Sequence, residues 1–193
     1  MANTQAYNGF QQYKGNGSAP TYEQVTATIV SSSTTAIFYG DPVEPDATGY
    51  IIRGTGSTTI AGVFVGCQYL SVSQKRTVWS NYWPGSDNSG NVTAYIVNDP
   101  NAQFVVSGDS STSLWVQAAI NSNVGYAIGT GNTANGISGA YLDSTTLNTT
   151  STLPFRVVGY VIDPPGAPGT ETGAYRKVIV AFNSVATKQL TGI

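Results

Sequence analysis

Carboxylates are the first side chains in this sequence whose spacing suggests chemistry, and three of them lie in the segment GDPVEPDATG. Asp41, Glu44 and Asp46 offer oxygen ligands, and Ca²⁺ takes roughly six to eight oxygens in proteins. The spacing matches no calcium-binding loop, and two prolines stiffen the segment. We therefore interpret it as a turn and expect no metal site there.

A second acid, Asp99, stands in a polar corner between two runs that alternate apolar and polar residues. In Asp99-Pro100-Asn101 the proline fixes φ at the second turn position, and the flanking side chains bond their own backbone. The sequence therefore predicts that Asp99 turns the chain. Ten acidic residues scattered over loops leave a glycosidase-type carboxylate pair open, but no local motif selects one.

Other groups for catalysis are scarce. The chain contains no histidine, which removes the commonest general base, the commonest metal ligand and the Ser-His-Asp triad. Cys67 is the single cysteine, so no intrachain disulfide forms, and its apolar setting predicts a buried thiol. The glycine-rich run GTGNTANGISG is not followed by Lys and Ser or Thr, unlike a phosphate-binding loop. We expect no catalytic residue, no cofactor and no enzymatic activity.

Aromatic side chains offer a different chemistry. Trp79, Trp83 and Trp115, with twelve tyrosines, could build a face on which sugar rings stack. Aromatic residues are equally common in β-sheet cores and in protein interfaces. A glycan-binding module for host attachment therefore stands as the alternative to a structural role.

The elements that must position these residues are short strands. Runs rich in Val, Ile, Thr, Tyr and Phe alternate with clusters of Gly, Pro, Asn, Asp and Ser, and no run of eight or more residues shows a helical stripe. This pattern predicts an all-β domain over residues 25–193, an antiparallel sandwich or jelly roll. The expected strands are 25–30, 35–39, 49–52, 58–65, 68–72, 76–79, 92–97, 104–106, 114–119, 157–162 and 176–182.

Residues 1–24 differ from the rest because they show no sustained period of 3.6 or 2. Glycine and proline argue against a long helix, yet four aromatic residues are many for a solvated tail. We predict an extended arm that docks on a neighbouring subunit. Its candidate partner-binding residues are Tyr7, Phe10, Tyr13 and Tyr22.

Composition limits the classes of partner. The chain has 193 residues, which suits one β domain, and only 9% of them are charged, against about 25% in an ordinary soluble protein. A formal charge of -2 gives no electrostatic reason to expect nucleic acid or an anionic membrane. No apolar run is long enough for a membrane span, and no signal peptide is visible. An uncharged polar surface suits a protein that packs against others or forms a coat.

The order of several short patterns resembles a known family, the tailed-bacteriophage head proteins that decorate, or cement, the outside of the capsid. The resemblance covers about Gly49 to Asn183 and departs from many relatives at Asn98, where they carry a second acid before the Asp-Pro. The patterns are YWP (82–84), AYIVNDPNAQF (94–104), INSNVG (120–125), NGISGAYLD (135–143), LPFRVVGYV (153–161) and AYRKV (174–178).

The resemblance implies a β-rich body on the outer surface of the virion, bound to several copies of the major capsid protein. It also implies a homo-oligomer at a symmetry axis, and we favour a trimer over a dimer. An oligomer that engages several subunits at once multiplies modest contacts, and binding only the assembled shell stabilises the shell by linkage. No nucleic acid, membrane or cofactor enters this mechanism.

Overall fold

The computed structural model describes residues 3–14, 23–56, 59–162, 164–167 and 169–188. Short 3₁₀ turns cover Gln117–Ala119 and Ala186–Lys188, and no helix in the described ranges is long and apolar enough to span a membrane. The strands of the described residues are β1 Gln11–Lys14, β2 Val25–Ile29, β3 Pro42–Pro45, β4 Ile51–Arg53, β5 Gly62–Ser71, β6 Arg76–Ser80, β7 Val92–Val97, β8 Gln103–Ser107, β9 Asn123–Ala127, β10 Tyr141–Asn148, β11 Phe155–Tyr160 and β12 Lys177–Phe182.

These strands form two antiparallel sheets that pack against each other, which confirms the predicted all-β sandwich. The first sheet has the strand order β1-β8-β12-β11-β9-β10. The second has the order β2-β7-β5-β3-β4, and β6 pairs with the later part of β5. Strands β3 and β6 therefore share one edge of the long strand β5.

A β-bulge between Phe64 and Gly66 divides β5 and decides what each part of it faces. Before the bulge, Val63 packs in an apolar cluster with residues of the first sheet, while Phe64 packs on the opposite side. The bulge adds one residue and reverses the alternation, as bulges do. Beyond it, Cys67 and Tyr69 continue the buried side.

Two apolar clusters stabilise the fold. The first draws on both sheets and includes Phe10, whose ring contacts those of Phe104 and Phe155. The second lies on the other face of the second sheet, where Ile37 and Trp83 from connecting segments cover it. The two connecting segments are joined by backbone hydrogen bonds between Ile37 and Trp83 of 2.9 and 2.7 Å. Because these segments complete a core, they are ordered parts of the body.

The N-terminal segment is also built into the body, which corrects part of the arm prediction. Strand β1 is the edge strand of the first sheet, and Phe10 is 1% exposed in the first cluster. Tyr7 stacks on Tyr141 with 4.3 Å between ring centroids. Gly9, at φ 66, fits so closely that a Cβ there would lie 2.6 Å from Cβ of Ser138. Phe10 therefore fills the apolar core of its own chain, and Tyr7 packs on an aromatic residue of the same chain.

The structure confirms some of the predicted strands and contradicts others. The pattern at 92–97 is strand β7, and β5 runs unbroken where we expected separate strands at 58–65 and 68–72, because Gly66 forms a bulge rather than a break. The segment 114–119 is irregular and ends in a 3₁₀ turn. The strands β1, β3, β9 and β10 were not predicted, since their sequences are rich in Gln, Pro, Asn and Gly, or in Thr and Asn.

Candidate functional site

One face of the second sheet is open to solvent and rich in groups that can bind a ligand. It is the continuation, past the bulge, of the face that packs on the first sheet, because Val97 of β7 is in the shared cluster and Tyr95 and Thr93 follow on the same side. We name it the Trp79 face. Its residues are Thr26, Thr28, Gln68, Leu70, Thr77, Trp79, Thr93 and Tyr95, none of which is charged.

Strand register sets the layout of this face. Thr28 pairs with Thr93, Thr93 with Gln68, and Gln68 with Trp79, so four side chains form one row across four strands. Tyr95 belongs to the next row and donates its hydroxyl to Oε1 of Gln68 at 3.1 Å. This hydrogen bond holds the side-chain amide of the exposed Gln68 in one orientation.

Trp79 is the largest exposed apolar group of this face, at 62% exposure. Its indole leans over Gly66 in the neighbouring strand, where a Cβ would lie 3.1 Å from Cζ2 of the ring. Gly66 itself is buried, and a side chain at this position would crowd both the indole and the Ser80 carbonyl, which lies 2.9 Å from the Cβ position. The bulge glycine therefore lets the ring rest against the sheet while much of its surface stays in solvent.

The other two tryptophans do not reach the surface. Trp83 and Trp115 are each 0% exposed. Trp83 meets Tyr69 edge to face in the second cluster, and Nε1 of Trp115 donates to Asp109 at 2.9 Å. The hypothesis of a sugar-stacking face made from all three tryptophans is therefore wrong. Of the three, only Trp79 is exposed to solvent.

The outer side of the first sheet is the second exposed face, and its centre is apolar. Val105, Ile179 and Ala181 are partly exposed on adjacent strands, and Val158 is 41% exposed at the bulge of β11. We name this the Val158 face. It also includes Gln11, Gln103 and Arg156 at its margin, and Tyr13 of the edge strand, which is 39% exposed. Tyr22 lies outside the described residues.

Two of the three acids of the segment 40–49, Asp41 and Glu44, lie in a buried polar cluster. The Asp41 carboxylate is 0% exposed, accepts hydrogen bonds from Phe38 N at 2.9 Å and from the Ser138 hydroxyl, and lies 3.0 Å from Nε of Arg53. Burial raises the pKa of the Asp41 carboxyl, against the opposing effects of Ser138, Phe38 and Arg53. The group is thus enclosed by protein on every side that its oxygens face.

Glu44 joins the two sheets. Its Oε1 accepts a hydrogen bond of 2.8 Å from the hydroxyl of Tyr126 on β9 and one of 2.9 Å from the Thr55 backbone. Burial raises the pKa of Tyr126, and the nearby Glu44 carboxylate raises it further, so the phenol remains a hydrogen-bond donor. With both carboxylates held by internal partners, this cluster serves to lock the sheets together.

Asp46 lies apart from the buried acids and accepts hydrogen bonds from the backbone and hydroxyl of Thr48, at 3.2 and 3.0 Å. Within the described ranges, no group of three or more His, Cys, Asp or Glu side chains is placed to hold a metal ion. Asp99 accepts a hydrogen bond of 2.9 Å from Asn101 N, which confirms its predicted place in a turn. Cys67 is buried as predicted, and burial raises the pKa of its thiol to about 12.

Two cavities adjoin these features. One, of about 250 Å³, is lined by residues of both sheets: Phe10, Gln12, Gln24, Tyr39, Val63, Phe64, Val65, Val97 and Phe104. The other, of about 350 Å³, is lined by Ser33, Thr35, Ile52, Arg53, Gly54, Thr55 and Ile128. No carboxylate lines either cavity among these residues, and the charge of Arg53 is paired with Asp41.

Comparison with known proteins found no matching family model, no similar curated protein and no similar solved structure.

Proposed function

We propose that this chain is a structural virion protein that binds the outer surface of a phage capsid and stabilises it by bridging major capsid subunits. The proposal starts from the order of short patterns that resembles capsid decoration proteins. The structural observation that supports it is the Val158 face, an exposed four-stranded surface with an apolar centre.

The composition of the Val158 face suits a protein partner. Protein interfaces have an apolar, charge-depleted centre and a polar rim. Here Val105, Val158 and Ile179 supply the centre, while Gln11 and Arg156 stand at the margin. Strands of a sheet are rigid, so little conformational entropy is lost when such a face docks.

The bound state would stabilise the shell by mass action. A protein that binds the assembled shell but not its separated subunits shifts the equilibrium towards the shell. If several copies associate, as we predict for a trimer, each contact is strengthened by the effective concentration of the others. Capsids that lack the protein should therefore assemble and yet lose heat tolerance.

The experiment adds the purified protein to capsids that lack it and measures DNA release against temperature. We expect the wild-type protein to move release to higher temperature. Val158→Glu, which places a charge in the apolar centre, should abolish attachment. The matched control is Val72→Glu, because Val72 is an exposed valine, at 58% against 41% for Val158, in the hairpin of the second sheet. Identical release curves with and without the protein would refute the proposal.

A further inference from the structure

We propose that the Trp79 face is a binding site for a neutral glycan, with Trp79 as the stacking platform and Gln68 and Thr93 as hydrogen-bonding groups. This inference goes beyond the proposed function and does not rest on it. The Trp79 face and the Val158 face belong to different sheets, so one molecule can use both.

The stacking platform is the first argument. The C–H face of a pyranose ring is apolar, and it packs on an aromatic ring that presents a broad exposed surface. Trp79 presents such a surface because its indole leans over Gly66, which has no side chain to displace it. An exposed tryptophan with no ligand leaves a large apolar area in water, which costs about 25 cal/mol per Å².

The surrounding polar groups are the second argument. A sugar ring that lies on Trp79 directs its hydroxyl groups towards the neighbouring strands of the row, where Gln68 and Thr93 follow. Amide and hydroxyl groups both donate and accept hydrogen bonds, as sugar hydroxyls require. The bond from Tyr95 leaves the Gln68 amide oriented before any ligand arrives, which lowers the entropy lost on binding.

The absence of charge selects the class of glycan. All eight side chains of the face are uncharged, and the nearest charges along β5 and β6, Lys75 and Arg76, lie at the hairpin that joins these strands. An anionic polysaccharide would find no cation within the row to pair with its carboxylates or sulfates. A neutral oligosaccharide needs none.

The size of the face favours a glycan over a protein. Four strands spaced by about 4.8 Å span roughly 14 Å, and three rows of alternating residues span about 14 Å along the strands. The eight residues of this face are far fewer than the roughly 20–30 residues that each partner contributes to a standard protein interface. A footprint of about 14 by 14 Å matches a few sugar rings.

The test measures binding of the isolated protein to a panel of soluble hexasaccharides: cellohexaose, maltohexaose, isomaltohexaose, xylohexaose and chitohexaose. Because Trp83 and Trp115 are buried, a ligand-dependent change in tryptophan fluorescence reports on Trp79. We expect at least one neutral member to shift this fluorescence. We also expect calorimetry to show that Trp79→Ala weakens binding about tenfold or more, which corresponds to about 1.4 kcal/mol.

Controls separate a binding site from a change in folding. Trp79→Phe retains an aromatic ring and should retain most of the affinity, and Tyr13→Ala, an exposed aromatic of the first sheet, should bind as the wild type does. Thermal melting checks that each variant is folded. The proposal is overturned if no neutral member binds at millimolar concentration, if Trp79→Ala binds unchanged, or if polygalacturonate binds in preference. If the wild-type protein binds no glycan and Trp79→Ala loses capsid attachment, the Trp79 face is a protein-docking surface and the glycan proposal is overturned.

Discussion

The guanidinium of Arg176 lies against the ring of Tyr160, with 3.6 Å between Cζ and the ring centroid. Arg176 is buried, and its Nη1 donates to the Trp115 carbonyl at 3.0 Å. The described side chains form one ion pair, between Arg53 and Asp41, so no carboxylate among them pairs with Arg176. The aromatic face of Tyr160 thus compensates a buried positive charge where a carboxylate would be expected.

This contact predicts different effects for two substitutions of Tyr160. Tyr160→Phe keeps the ring but loses the hydroxyl bond of 2.7 Å to the Val116 carbonyl, which costs about 1 kcal/mol. Tyr160→Leu also removes the cation–π contact and should cost about 2 kcal/mol more. Urea unfolding measures both free energies. Equal destabilisation by the two variants would contradict a stabilising role of the ring.

The buried pair of Asp41 and Arg53 predicts that a substitution of Asp41 strongly destabilises the fold, although the local sequence suggests that Asp41 is only a turn residue. Asp41→Ala leaves Arg53 without its partner and should lower the free energy of unfolding by about 3–5 kcal/mol. The matched control is Asp46→Ala in the same segment, which loses only contacts to Thr48 near the surface and should cost about 0.5 kcal/mol. Similar melting temperatures for the two variants would argue against the buried cluster.

The hydrogen bonds of the Asp109 carboxylate lead us to predict that the stability of the fold depends on pH. Burial raises the pKa of its carboxyl, but hydrogen bonds from Ser144, Ser111 N and Trp115 outweigh this effect and lower it. A carboxyl whose folded pKa lies below its unfolded value of about 3.9 stabilises the fold above that pH, and this contribution disappears as the pH falls through the folded pKa.

The corresponding variant is Asp109→Asn. It should be less stable than the wild type near neutral pH, and the difference should shrink as the pH falls below about 4. Chemical denaturation at a series of pH values gives the comparison. A difference that stays constant down to about pH 2 would mean that ionisation of Asp109 does not stabilise the fold.

Substitutions of the N-terminal aromatic residues distinguish a role in core packing from a role in partner binding. Phe10→Ala should destabilise the isolated chain by about 3–5 kcal/mol, because it empties a core position. Tyr13→Ala removes an exposed ring and should leave the melting temperature nearly unchanged. If Tyr13 binds a partner, as we still predict, its variant should oligomerise or attach to capsids more weakly, which analytical ultracentrifugation and co-sedimentation would detect.

Attachment to capsids should depend only weakly on salt. Eight Lys and Arg and ten Asp and Glu leave few ion pairs for salt to screen over a Debye length of about 10 Å at 0.1 M. Apolar and hydrogen-bonded contacts should carry the affinity instead. Co-sedimentation from low to near-molar salt tests this, and release of folded protein by salt alone would show that charge carries the attachment.

Local patterns in the sequence determined the class of fold. Alternation of apolar and polar residues over stretches such as 92–97 specifies strands, because side chains of a strand point to opposite faces in turn. Asp99-Pro100-Asn101 specifies a turn through the fixed φ of proline and the backbone bonds of Asp and Asn. The apolar neighbours of Cys67 specify a buried thiol. Each of these features depends on residues close in sequence.

Contacts between distant residues decided the rest. The bulge at Gly66 and the pairing of β6 with β5 leave Trp79 in solvent, whereas Trp83 and Trp115 lie in connecting segments that pack into the two apolar clusters. Phe10 is buried because it fits into the apolar cluster between the two sheets of its own chain. Asp41 and Glu44 lie in a polar segment, yet Arg53 and Tyr126 enclose them. Burial is a property of the surroundings in three dimensions, and residues 82 positions apart supply those surroundings for Glu44 and Tyr126.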